Sequence, residues 1–243
     1  MNTQLYEYFL RDHVFFCVAE SFCFILDLKK DRYLSVNSRD FQLLGPHLYG
    51  WPIAREVGAL ARSALSPKIT DLAAELLEAG ILSADGRDSK EARPTTWNLP
   101  TRTLLNQSQR VSAFHCVSLC AHFFNAATKV NRQLKSGSLE SIIRSIAKRK
   151  ETYERVVQPF DYDVATKLTT AFNKLRPAFP RNHVCLFDSI ALIDFLSQFK
   201  MFPTLVFGVR PEPFGAHCWV QAADVVLNDT PEYTSVFTPI MAI

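Results

Sequence analysis

Cys185-Leu186-Phe187-Asp188-Ser189-Ile190-Ala191-Leu192 opens the stretch on which the reading turns. It is followed by Leu205-Val206-Phe207-Gly208-Val209-Arg210, Pro213-Phe214-Gly215-Ala216-His217-Cys218-Trp219-Val220-Gln221 and Val225-Val226-Leu227-Asn228-Asp229. A cysteine starts a helical pattern, a histidine opens a strand pattern, and a carboxylate follows a second strand. That order supplies a thiolate, a base and a group to orient the base. A cysteine at a helix N-terminus faces the positive end of the helix dipole, which lowers its pKa. The free amides of the same turn suit an oxyanion hole. A lone cysteine at a helix start is more often a small buried residue, and His217 is what shifts the balance. The antiparallel return through Val225-Val226-Leu227 brings Asp229 beside His217, whereas Asp224 sits in the turn and faces water. Cys218 alternates to the other strand face and reads as core. His183 is a rival base, but the turn before Cys185 constrains it.

Working outward, Leu104 to Leu175 is helical in pattern. Val111, Phe114, Val117, Phe124 and Val130 recur at helical spacing, and Ser136-Gly137-Ser138 breaks the run. A second helix follows with Leu139, Ile142, Ile143 and Ile146, and a third spans Asp161 to Leu175, capped by Asp161 or Asp163. His115-Cys116 with Cys120 and His122 resembles a ligand set only in composition. Cys116 and Cys120 share a face, but the histidine offsets do not join them there. Buried packing is therefore expected, and no metal site.

Towards the N-terminus, His13–Ala19, Ser21–Leu28 and Arg32-Tyr33-Leu34-Ser35-Val36 read as three strands. Asn37 or Ser38 caps a helix expected to turn Phe41, Leu43, Leu44 and Leu48 inward. Further helices are expected over Ile53–Ala64 and Ser66–Ala79, the latter with Ile69, Leu72, Leu76 and Leu77 on one stripe. Gly80 ends it as a left-handed cap, and Ile81-Leu82-Ser83 returns as a strand. This order predicts a small winged-helix domain over 1–84. Polar residues 85–103, with Pro94 and Pro100, predict a linker, and 104–243 a second domain.

The chain has 243 residues, 48% hydrophobic and 21% charged, which is ordinary for a packed globular protein. MNTQLYEYFLRDH does not read as a signal peptide, and no apolar run is long enough to span a membrane. Six cysteines without a CxxC pair predict reduced thiols in a cytoplasmic protein. Residues 1–90 carry 10 basic and 12 acidic side chains. An acidic winged helix neutralises phosphate poorly, which argues against nucleic acid as a partner. Its strand edge beside a helix instead suits an added peptide strand, unless the domain is purely structural. Residues 129–155 carry 8 basic against 3 acidic side chains, either a solvated helix face or a docking surface for an acidic partner or nucleotide.

Taken together, Cys185-Leu-Phe-Asp-Ser-Ile-Ala-Leu, Leu-Val-Phe-Gly208-Val-Arg210, Pro213-Phe214, Ala216-His217-Cys-Trp219-Val-Gln and Leu-Asn228-Asp229 resemble the leader peptidases of lasso peptide biosynthesis. These B proteins have a transglutaminase-like, papain-type catalytic part. The resemblance spans 104–243, and the N-terminal element order is similar to the precursor-recognition domain fused to some members. Cys218, where alanine is common, and Gln221, where glutamate is common, depart from the pattern without touching the proposed triad. The resemblance implies an α+β fold: a winged-helix-like domain, then helices packed on a short antiparallel sheet. It implies a cysteine protease with Cys185, His217 and Asp229 as its catalytic residues. It also implies a leader peptide bound as a strand against Arg32, Tyr33, Leu34, Ser35 and Val36, and against Leu72, Glu75 and Leu76 of the neighbouring helix. The partners implied are the precursor peptide and an ATP-dependent macrolactam cyclase. No covalently bound cofactor is implied, and ATP enters together with the cyclase; the chain has no GxxxxGK[ST] loop. A non-catalytic leader-binding scaffold and acyl transfer to an amine, a transglutaminase reaction, remain the alternatives.

Overall fold

The computed structural model describes residues 8–52, 66–105, 113–154 and 160–243, the side chains of 113–116 and 154 excepted. The chain divides into two compact units, Met1–Thr96 and Trp97–Ile243.

In the first unit, β1 (Phe9–Arg11) precedes a meander of β2 (Val14–Ala19), β3 (Phe22–Asp27) and β4 (Arg32–Asn37). Asp27 shapes the last turn: its Oδ1 accepts from the amides of Lys29 and Lys30, both at 3.1 Å. α1 (Ser38–Leu44) begins where Asn37 Oδ1 accepts from the amides of Arg39 and Asp40, the role that favours Asn at this position. Phe41 and Leu44 turn inward with Leu48, but Leu43 is 55% exposed, contrary to expectation. Residues 41 and 44 are three apart and share a face, while 43 points away from it. The helix expected over Ile53–Ala64 lies outside the described residues. α2 (Pro67–Glu78) starts on Pro67 and buries Ile69, Ala73 and Leu76. Gly80 follows at φ +75°, the left-handed conformation expected of it.

β5 (Leu82–Ser83) and β6 (Ser89–Lys90) flank β1 in a sheet of their own, order β5-β1-β6, beside the meander β2-β3-β4. Among the described residues the first unit thus carries two three-stranded sheets, where the sequence pattern predicts one meander and a return strand. β1 has no counterpart among the expected strands, being only three residues long. One core joins both sheets to both helices through Leu10, Phe16, Ile25, Phe41, Ile69 and Leu82.

The second unit starts with β7 (Arg102–Thr103), so the stretch 85–103 contributes two strands and is more than a spacer. α3 (Ala113–Ser136), α4 (Leu139–Glu154), α5 (Tyr162–Leu175) and α6 (Cys185–Ser197) precede β8 (Thr204–Arg210), β9 (Gly215–Ala222), β10 (Val225–Val226), α7 (Pro231–Thr234) and β11 (Thr238–Ala242). Leu104 joins the sheet rather than a helix, since its amide donates to Val226 O. On α3 the buried face is Leu119, Phe123, Ala126, Ala127 and Val130, while Val117 is 68% exposed. Expected helix residues Val111 and Phe114 lie outside the described side chains. α4 buries Leu139, Ile142, Ile143 and Ile146, and Asp161 Oδ1 caps α5 through the amides of Asp163 and Val164.

α6 is apolar nearly all round and packs against α3, α5 and β9, as a helix without a polar face must. Its one buried acid, Asp194, meets Lys129 Nζ at 2.6 Å and Arg149 Nη1 at 2.7 Å. Two cations of the basic stretch therefore serve inside the fold. The sheet order is β11-β8-β9-β10-β7, antiparallel except for the parallel pair β10–β7. It is thus mixed rather than antiparallel throughout. Arg102 holds β7 in place by gripping Asp224 with two hydrogen bonds of 2.9 and 2.8 Å.

Candidate active site

Cys185 is the first residue of α6, and Val184 before it is extended and offers no side-chain cap. The first turn therefore has no capping acceptor from that side chain, and the sulfur sits at the positive end of the helix. The approach to the helix is set by Arg176, an almost fully buried arginine that the sequence reading does not single out. Its Nη2 donates to the carbonyls of Arg181 and Asn182 at 3.0 Å each, its Nη1 to Phe179 O at 3.3 Å, and its Nε to Asp188 Oδ1 in the first turn of α6. A guanidinium with five donors suits such a fork. His183 lies against Asp188 Oδ2 at 3.3 Å and is largely exposed, so it pairs with a carboxylate and not with the thiol.

β9 delivers His217, and Asp229 follows the short return through β10. His217 Nε2 lies 2.6 Å from Asp229 Oδ2. That contact leaves Nδ1 as the nitrogen available to Cys185. Asp229 is itself held, its Oδ1 by the amide of Thr230 at 2.8 Å and its carbonyl by Thr103 Oγ1 at 2.6 Å. Aromatic rings enclose the imidazole: Tyr233 at 5.0 Å, Phe237 at 5.1 Å and Trp219 at 6.0 Å between centroids. They lower the local dielectric and strengthen the ionic contacts within.

A second link fastens the helix to the strand. Ser189, one turn beyond Cys185, donates to Cys218 O at 3.1 Å. Asn228 Nδ2 donates to Ser189 Oγ at 2.9 Å, and Asn228 Oδ1 accepts from Val220 N at 2.8 Å. Cys185 and Ser189 are four apart and share a helix face, so this chain of bonds fixes the thiol's height over β9. Ser189 and Asn228 stand within the quoted motif, but only the fold shows their role.

Cys218 is buried, as the sequence reading expects, and it also bears on the candidate site. Its thiol and its amide, with His217, draw the Cys185 pKa down to about 4. The Cys218 thiol is pushed well above its ordinary range by its hydrogen bond to Cys185 and by burial, so it stays a donor. Burial works against the charged form of His217, but the hydrogen bonds to Asp229 and Cys185 outweigh it and raise its pKa to about 9. Between those limits the pair is a thiolate and an imidazolium, able to attack an electrophilic carbon and to return a proton.

Gln221 is buried and fully engaged. Its Oε1 accepts from Trp219 Nε1 at 2.9 Å, and its Nε2 donates to Asn98 O at 2.8 Å and Ala223 O at 2.6 Å. Those two carbonyls require a donor, which a carboxylate lacks. The amide is thus the side chain this environment demands.

In the first unit, β4 is, among the described residues, an edge strand paired with β3 alone. Tyr33, Leu34 and Val36 are half-buried and Ser35 is exposed. Arg32 is engaged internally, with Asp27 Oδ2 at 3.3 Å and Ala79 O at 3.2 Å. On α2, Glu75 is exposed, Leu72 half-buried and Leu76 buried in the core. Leu76 therefore offers no side chain to a bound peptide. In the HCVSLCAH stretch, the side chains of His115 and Cys116 lie outside the described residues. His122 Nδ1 is engaged by Gln198 Oε1 at 2.9 Å, and Cys120 is half-buried.

No helix among the described residues is long and apolar enough to cross a membrane. No curated protein and no solved structure matches the chain. Residues 126–242, which hold α6, β8, β9, β10 and all three residues of the Cys185–His217–Asp229 group, match the model of the Transglutaminase-like superfamily, and a transglutaminase-like domain is present in the second unit.

Proposed function

We propose that this protein is a cysteine endopeptidase that removes the leader from a ribosomally made lasso peptide precursor. The observation that carries the catalytic part is His217, whose Nε2 lies 2.6 Å from Asp229 Oδ2 and which, after Cys218, lowers the Cys185 pKa to about 4. The family match supports thiol chemistry of the protease or acyl-transfer kind. The leader and precursor assignment rests on the motif resemblance and on the place of β4 at the edge of its sheet among the described residues.

In this reading the leader adds as a strand to β4, where main-chain hydrogen bonds supply affinity and Leu72 and Glu75 of α2 line one side. The Cys185 thiolate attacks the carbonyl carbon of the leader–core bond. The amides at the start of α6 stabilise the oxyanion. His217 gives its proton to the departing amine, the C–N bond breaks, and the leader remains as a thioester on Cys185. Water, deprotonated by His217, attacks the thioester carbon. The leader leaves with a new carboxylate and the thiolate is restored. Asp229 keeps the imidazole oriented and stabilises its charge throughout. The freed core amine then passes to the macrolactam cyclase. No step runs through a nucleotide: Lys129 and Arg149 are engaged by Asp194, and ATP is assigned to the cyclase.

The test is product mass. Hydrolysis yields two fragments whose masses sum to the precursor plus one water. Loss of ammonia from an uncut chain would contradict the peptidase in favour of amine transfer.

A further inference from the structure

Arg210 closes β8 opposite Gly215, and Gly208 lies opposite His217. Cross-strand partners share a face, as do residues two apart on one strand, so Arg210 and His217 project from the same side of the sheet. Phe237 stands between them. The His217 ring lies 5.1 Å from its centre and the Arg210 guanidinium carbon 5.7 Å. The two polar groups are thus no farther apart than the reach of about three extended residues. Gly215 keeps this place open, since a Cβ there would stand 2.9 Å from Arg210 Nε.

The guanidinium is positioned, but one of its donors is not satisfied. Its Nε is buried and has no hydrogen-bond partner. Arg102, Arg144, Arg149 and Arg176 each meet a carboxylate; among the described residues Arg210 meets none. A buried donor without an acceptor is costly and uncommon. One held by a ring and a glycine beside a candidate reaction centre marks where a ligand's acceptor belongs. Arginine is suited to carboxylates, which it grips with two parallel N–H groups.

We propose that Arg210 is a specificity residue, binding the carboxylate of an acidic side chain within about three residues of the reacting carbonyl. This rests on the thiol-peptidase reading above.

The experiment uses the full chain and tripeptide vinyl sulfones, which alkylate a thiolate irreversibly. Glu, Gln or Lys is placed at each of the three positions in turn, and the rate of Cys185 adduct formation is read by intact mass. Iodoacetamide, which has no peptide to bind, reports whether the thiolate is intact. Wild type is expected to favour Glu over Gln at one position by about 10- to 100-fold, the scale of a charge-assisted hydrogen bond. Arg210→Gln should bring that ratio to about one, and Arg210→Glu should favour Lys, both with unchanged iodoacetamide rates. If Arg210→Gln fails to fold, Arg210→Lys is expected to keep a reduced preference for Glu. A wild-type ratio near one, a ratio unchanged by Arg210→Gln, or peptides that fail to alkylate a thiol that iodoacetamide labels would each overturn the proposal and leave the nucleophile reading standing. Failure of iodoacetamide itself to label Cys185 near neutral pH overturns both.

Discussion

Cys185 owes its charge to two neighbours of different kinds. The thiol and amide of Cys218 and the imidazolium of His217 each lower its pKa. The thiolate is lost as pH falls through about 4, and the imidazolium as pH rises through about 9. Alkylation of Cys185 by iodoacetamide is therefore expected to persist down to about pH 5. An ordinary thiol is already mostly protonated below about pH 8; a midpoint near that value would contradict the geometry. Cys218→Ala deletes the thiol donor but keeps the amide, so the acidic midpoint should move upward while the rate near neutrality changes little. An unmoved midpoint would remove the Cys218 thiol from the site. Asp229→Asn should lower turnover by roughly 100-fold or more and shift the alkaline limb to lower pH, because Asp229 helps to hold His217 charged.

Between α6 and β9 the position of the thiol depends on Ser189 and Asn228. Asn228→Ala would remove hydrogen bonds of 2.8 and 2.9 Å and leave the Val220 amide without its acceptor. Unfolding in urea should show a loss of about 1–3 kcal/mol, and an unchanged midpoint would make the link dispensable. The elements that carry the site are legible in the sequence because α6, β8 and β9 are long apolar runs with clear ends. β7 and β10 have two residues each, too few for any periodicity, so neither the parallel pairing nor the role of Thr103 can be read from the chain. β11 contains Pro239, which argues against a strand until its edge position and register shift are seen. Spacing alone places Val117 on the inward face of α3 because apolar residues occur on more than one side of that helix. Arg176 gives no signal at all: its partners are mostly backbone carbonyls, which no motif records.

Across the whole chain, the transglutaminase-like match covers residues 126–242 and lies within the second unit. The proposed leader edge, β4, lies within the first. Chemistry and recognition should therefore be separable by mutation. Cys185→Ala is expected to bind a leader peptide with unchanged affinity in a fluorescence titration while cleaving none; weakened binding would contradict the division of labour. The measurement that bears most directly on the account is the intact mass of a lasso precursor after incubation with this protein, its cyclase and ATP, wild type beside Cys185→Ala. The account predicts separate leader and core masses, with one water gained, from wild type alone. An uncut precursor with both proteins, or cleavage that survives Cys185→Ala, would contradict it.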